Sequence, residues 1–140
     1  MEIIAVDVDD VLAFNDTTLI EKADFYLSVL SERFRLEVVT ARNPRRTEET
    51  LGWLAVNLPD VFSDVHFTRS FRGLEDRVSK GYICQEIGAS YLVDDLEEHC
   101  LTAAYHGVKA FLFGSYPQVQ DENIHPVQGW ADVVDYFYAK

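Results

Sequence analysis

Ile3-Ile4-Ala5-Val6-Asp7-Val8-Asp9-Asp10-Val11-Leu12 begins with four apolar residues, three of them β-branched, and then turns to carboxylates. Four residues are too few for a helix, and β-branched side chains favour the pleated sheet, so Ile3–Val6 reads as a buried strand. A short apolar run ending in acids is what an open α/β sheet shows where a strand delivers polar groups to a crevice. The same unit recurs downstream. Leu36–Val39 is followed by Thr40-Ala41-Arg42, and Tyr91–Val93 by Asp94-Asp95; Val65–Phe67 is a weaker strand and Ala110–Phe113 a fifth.

Amphipathic segments separate these strands. Residues 18–34 carry Leu19, Ala23, Tyr26, Leu27, Leu30 and Phe34 at helical spacing, predicting one helix with a single apolar face. Asn43-Pro44 supplies an N-cap and a proline for the first helical position, and Pro59 closes that helix. Ser79 can cap a helix ending near Gly88, and a helix from Leu96 to His106 ends at Gly107. Residues 114–129, with Gly114, Pro117, Pro126 and Gly129, read as a long loop before a last helix, Trp130–Tyr138. Strand and helix in alternation imply right-handed crossovers. The expected fold is α/β, a three-layer Rossmann-like parallel sheet of about five strands with helices on both faces.

Size and composition agree. The chain has 140 residues, 48% hydrophobic and 26% charged, which fits one soluble domain over residues 1–140. No apolar run approaches the about eighteen residues that cross a bilayer, and the acidic N-terminus does not resemble a secretory signal, so the expected location is the cytoplasm. Cys84 and Cys100 have neither disulfide-framework nor zinc-site spacing and read as buried small residues. His66, His99, His106 and His125 lack metal or triad spacing and read as structural, and Trp53 and Trp130 as packing of helices on the sheet.

The net charge is −12, which disfavours nucleic acid and anionic membranes as partners. Its distribution is uneven. Residues 42–80 hold seven basic groups (Arg42, Arg45, Arg46, Arg69, Arg72, Arg77, Lys80) against six acids, a local +1. An acidic body with one locally basic segment points to a confined anion site.

The polar residues at the strand ends carry the chemistry. Several carboxylates at one edge repel one another and persist when a cation joins them. An all-oxygen set suits Mg²⁺, which bridges to substrate phosphate. Lys80, in the first turn of a helix, adds fixed positive charge where anions are favoured, and Thr40 adds a hydroxyl donor. In such a site one aspartate can attack phosphorus, and a second carboxyl two residues on can handle the proton.

Taken in order, DVDDVL, VVTAR, SKGY and YLVDD resemble the four motifs of the haloacid dehalogenase (HAD) superfamily of phosphohydrolases, over roughly Ile3 to Phe113. The resemblance implies Asp7 as nucleophile and Asp9 as general acid/base. It implies Thr40 and Lys80 as ligands of the phosphoryl group. Asp94 and Asp95, with Asp7 and the Asp9 backbone carbonyl, would hold Mg²⁺. Arg42 is a further candidate for contact with the substrate phosphate or leaving group, whereas Arg45 and Arg46 are expected to face solvent. An acid at position 9 fits the phosphatase branch, since the superfamily's transport ATPases have threonine there and its dehalogenases lack the aspartate. Asp10 stands where glycine is usual and Val11 where threonine is frequent; the valine occurs in deoxyribonucleotidase-like members. About two dozen residues lie between Leu12 and the second strand, and about a dozen between Thr68 and Lys80. Those spacings resemble a capless or minimal-cap member acting on a nucleotide or other small phosphomonoester.

Two other readings remain in view. A phosphoacceptor receiver domain also gathers acids, a hydroxyl and a lysine at one sheet edge, but its phosphorylated aspartate follows the third strand and its lysine the fifth. Here Thr68-Arg69 follows the third strand, and Lys80 precedes Asp94-Asp95. A HAD-like binding protein without catalysis would have no need of all four motifs. The sequence leaves the oligomeric state open.

Overall fold

A computed structural model gives the architecture; it describes residues 1–70 and 73–139, and for 70 and 73–76 the backbone alone. Six parallel strands form the central sheet: β1 (Ile3–Val6), β4 (Arg35–Thr40), β5 (Asp64–Phe67), β8 (Ala89–Asp94), β9 (Lys109–Phe113) and β10 (Ile124–Val127). Their order is β10-β9-β8-β1-β4-β5, with β1 central. Ile4 pairs with Leu36 on one side and Tyr91 on the other, so the strands that deliver Asp7, Thr40 and Asp94 run side by side. Two short antiparallel pairs stand apart from the sheet. β2 (Ala13–Phe14) pairs with β3 (Thr18–Leu19), and β6 (Arg69–Ser70) with β7 (Gly73–Arg77).

Period-two alternation divides the core. Ile4, Val6, Leu36, Val38 and Phe111 face one side, where they meet Ala23, Leu27 and Leu30 of α1 (Ala23–Ser31), Leu54 of α2 (Thr47–Asn57) and Val133 of α5 (Trp130–Tyr138). Ala5, Val39, Leu92, Ala110 and Leu112 face the other, against Ile83 and Cys84 of α3 (Lys80–Ile87) and Cys100 and Ala103 of α4 (Glu97–Tyr105). The result is the expected three-layer α/β sandwich, with one strand more than the sequence shows.

That strand is β10, inside the stretch expected to be loop. Pro126 obscures it, yet β10 lies at the sheet edge, where one missing N–H is tolerated. The first helix is also shorter than expected, because Thr18-Leu19 pairs back onto Ala13-Phe14 and Lys22 enters α1 with φ 65°. The Ser79 and Gly88 caps read from sequence hold, whereas Asn43 caps a short 3₁₀ turn, Pro44–Arg46, ahead of α2, which has no side-chain cap of its own. Asn43 accepts from the Arg45 amide, Ser79 from the Tyr82 amide at 3.0 Å, and Gly88 closes α3 in the left-handed region. Cys84 and Cys100 are free and buried. Trp53 and Trp130 also bond backbone, donating to the Thr17 and Val11 carbonyls at 2.7 and 2.8 Å. No described helix is long and apolar enough to cross a membrane.

Candidate active site

The parallel sheet brings the motif residues to one edge. Asp7 follows β1 directly and is held there by its own amide, which donates to the Val93 carbonyl at 3.0 Å. Asp94 is the last residue of β8, Thr40 the last of β4, and Lys80 the first of α3. Gly81 permits the last placement. A Cβ at 81 would lie 2.1 Å from the Thr102 carbonyl oxygen, so α3 crosses α4 closely enough to aim Lys80 at the sheet edge.

Lys80 is the hub. Its side chain is 1% exposed, and Nζ donates to Asp7 Oδ1 at 2.8 Å and Asp94 Oδ2 at 2.5 Å. The second Asp94 oxygen accepts from the Leu96 amide at 3.0 Å. Both Asp94 oxygens are thus engaged within the protein. Burial alone would lower the Lys80 ammonium, but the charges of Asp7 and Asp94 more than offset it and hold the group above its usual range. Burial pushes Asp7 up to about 6, with the Lys80 charge working against it and Asp94 adding to it. Burial and the neighbouring Asp7 push Asp95 up to about 7.

Those shifts bear on a metal. Asp7, Asp94 and Asp95 each offer an oxygen, all within 4.8 Å of one another. One lysine does not neutralise three carboxylates; burial first, and then the charge of a neighbouring carboxylate, raises Asp7 and Asp95. Hard oxygen donors of this kind fit a divalent cation such as Mg²⁺, and Asp94 is in addition bonded to Lys80. A second group of ligand-type atoms, on Glu37, Asp64 and His66, lies on β4 and β5. There buried Glu37 is already met by Arg35 and His66, each at 2.8 Å.

Above the hub opens a cleft of about 290 Å³, lined by Asp7, Asp9, Lys80, Asp95 and His99 among others. Thr40 and Asp94 are fully buried and reach it through Arg42 and Lys80, to which they bond. Thr40 Oγ1 accepts from the Arg42 amide at 3.1 Å.

The arginines near the cleft are paired with carboxylates. Arg42, the candidate for substrate contact, is among the cleft's lining residues but has its side chain buried, with the guanidinium on Asp9 and on Thr50 Oγ1. The reason is that α2 and the loop after β1 present their oxygens to it from both sides. Arg46, expected to face solvent, lines the cleft and pairs with Glu49 at 2.5 Å and Asp16 at 3.6 Å. The local basic excess is therefore answered by Asp9 and Asp16, which come from outside that segment. Arg72 lies outside the described residues, as do the side chains of Glu75 and Asp76.

Burial tends to raise Asp9, but the bonds and charge of Arg42, with Arg46, hold it below the usual carboxylate range. His99 was not expected in the cleft. It stands four residues after Asp95, early in α4, and that spacing is the one sequence signal for it. Burial, then the Lys80 charge, pushes its imidazole down to about 4, so it is neutral at neutral pH.

No protein-family model matches the chain, and no curated protein matches it by sequence. Solved structures do match. The core domain of a provisionally named phosphoglycolate phosphatase from Streptococcus pneumoniae TIGR4 superposes with a TM-score of 0.65 at 16% identity, over 99% of this chain and 96% of that one. A HAD-superfamily hydrolase of subfamily IA from Geobacter sulfurreducens PCA gives 0.69 at 14% identity, over 97% and 99%. The magnesium-bound HAD hydrolase YfnB of Bacillus subtilis gives 0.67 at 15% identity, over 89% of this chain and 57% of that one. Buried motif residues at one edge of a β1-centred parallel sheet and these superpositions agree: the chain has the fold of the haloacid dehalogenase superfamily hydrolases.

Proposed function

We propose that this protein is a Mg²⁺-dependent phosphomonoester hydrolase that works through an aspartyl-phosphate on Asp7. The observation that carries the reading is the buried Lys80 ammonium bonded to both Asp7 and Asp94 beside Asp95. A carboxylate fixed through one oxygen keeps the other for in-line attack, and the ammonium sits where the phosphoryl oxygens would gather. Likeness to a phosphatase core domain and to a magnesium-bound hydrolase supports the same chemistry.

In this reading the Asp7 carboxylate attacks phosphorus and the bond to the leaving oxygen breaks. Asp9 in its acid form gives that oxygen a proton. Asp9, now a carboxylate, takes a proton from the water that attacks the phosphorus of the aspartyl-phosphate, which frees phosphate and restores Asp7. Arg42, bonded to both Asp9 oxygens, favours the carboxylate form that the second step uses. Lys80 holds Asp7 and the phosphoryl oxygens, Thr40 offers its hydroxyl hydrogen, and Asp94 fixes Lys80. Mg²⁺, when bound by Asp7, Asp95 and the Asp9 carbonyl, supplies charge neutralisation at the transferring group.

We also read residues 1–140 as one catalytic domain without a folded cap, since among the described residues the short β6–β7 pair is the only element between β5 and α3. The substrate class is a small phosphomonoester, such as a nucleotide. The test is release of nitrophenol from p-nitrophenyl phosphate. Turnover should require Mg²⁺, stop in excess chelator and fall to background in folded Asp7→Asn. Full activity in chelator, or an active Asp7→Asn protein, would exclude the reading.

A further inference from the structure

Arg42 and Asp9 form an unequal pair. The arginine side chain is 1% exposed, whereas the aspartate side chain is 42% exposed and lines the cleft. Arg42 Nε lies 3.2 and 3.1 Å from the two Asp9 oxygens, and Nη2 lies 2.8 Å from Oδ1. Nη1 donates to Thr50 Oγ1 at 3.1 Å, and Nη2 also faces the Asp16 carbonyl at 3.4 Å. Every nitrogen of the guanidinium is engaged. Thr50 is fully buried on α2, so the brace runs from a rigid helix through Arg42 to a side chain in the cleft. An ion pair that served the core alone would bury its acid too, because a buried charge is costly unless fully paired. Here the arginine is buried and the acid is held out into the cleft.

We propose that Arg42 is the positioning residue for Asp9: braced by Thr50, it sets the direction in which the Asp9 carboxyl group faces the leaving oxygen. This rests on Asp9 as the proton-transfer group of the proposed hydrolase. A free aspartate half in solvent would sample several rotamers, and a planar fork bonded to both carboxylate oxygens removes that freedom. Lysine cannot replace it, since a single ammonium lacks the fork and cannot reach Thr50 in the same geometry. Proton transfer depends on placement within hydrogen-bond reach, so a loosened Asp9 loses rate rather than substrate affinity.

The experiment compares a simple alkyl phosphate with p-nitrophenyl phosphate, both in Mg²⁺. The poor leaving group needs the proton and the good one hardly does. Arg42→Ala should lower kcat on the alkyl ester by about tenfold more than on the nitrophenyl ester, with KM within about twofold. Added to Asp9→Asn, it should cost no more than about threefold further, because both changes remove one device. Arg42→Lys should rescue little, and free guanidinium should restore part of the kcat of Arg42→Ala. If Arg42→Ala fails to fold, Thr50→Val removes the brace while keeping the shape, and should show the same leaving-group split at smaller size. A rise in KM with kcat kept would make Arg42 a substrate contact and overturn the proposal. Equal losses on both esters, additive with Asp9→Asn, or an unaffected Thr50→Val, would overturn it as well. A wild-type protein that hydrolyses neither ester would instead sink the hydrolase reading beneath it.

Discussion

Gly81→Ala adds one methyl group at the point where two helices and the Lys80 hub meet. The new Cβ would lie 2.1 Å from the Thr102 carbonyl oxygen, 2.4 Å from its carbon and 2.8 Å from His106 Cδ2. Ordinary contact begins near 3.4 Å, so α3 and α4 would have to separate by 3.4 − 2.1 = 1.3 Å. The obstacle is backbone and cannot swing aside. Alanine is the better helix former by about 1 kcal/mol, while overpacking costs about 1–3 kcal/mol and more against backbone. A net loss of about 2 kcal/mol lowers the melting temperature by about 6 °C in a domain of this size. The damage extends to the site, because α3 begins with Lys80, whose bonds to Asp7 and Asp94 are 2.8 and 2.5 Å long. A shift of the size just derived takes them toward or past hydrogen-bond range. Thermal unfolding and p-nitrophenyl phosphate turnover on the same preparation read both effects. An alanine variant that melts at or above wild type with full turnover would refute the close crossing and its role in placing Lys80.

Other consequences follow from the buried charges, thiols and indole. Asp7 and Asp95 bind protons more tightly folded than unfolded, so the stability they contribute is full below about pH 4 and is lost as pH rises through about 6 and 7. In chelator, wild type should therefore lose more stability than Asp95→Asn between pH 5 and 8, by roughly 1 kcal/mol after allowing for solvent screening of half-exposed Asp95, and Mg²⁺ should close that gap; parallel curves would contradict it. Burial pushes the Cys84 thiol up to about 12 and raises Cys100 as well, so a disulfide reagent at pH 8 should label neither in the native protein and both in guanidinium chloride. Trp130→Phe removes the bond to the Val11 carbonyl next to the motif loop and should cost about 1–3 kcal/mol in denaturant unfolding.

What the sequence conveys here is local. Ser79, Gly88 and the span Trp130–Tyr138 were legible because caps and apolar period depend on neighbours along the chain. The positions of Asp7, Lys80 and Asp94 at one edge were legible because strand ends in a parallel sheet must converge there. β10 was hidden because its partner β9 lies beyond a turn and Pro126 signals a loop. The carboxylate partners of Arg42 and Arg46 were hidden for a related reason. Asp9 and Asp16 lie about thirty residues earlier, where no local pattern records them, whereas the Arg46–Glu49 pair spans three residues and is local. His99 carries only the faint signal of standing one helical turn beyond Asp95.

The central claim is a covalent phosphoryl group on Asp7. During steady turnover of a phosphomonoester in Mg²⁺, an acid quench followed by borohydride converts an aspartyl-phosphate to homoserine at the residue that carried it. Homoserine is expected at position 7, found by peptide mass mapping, and should be lost in Asp7→Asn. Active enzyme that yields unmodified Asp7, or that carries the label on another residue, would contradict it.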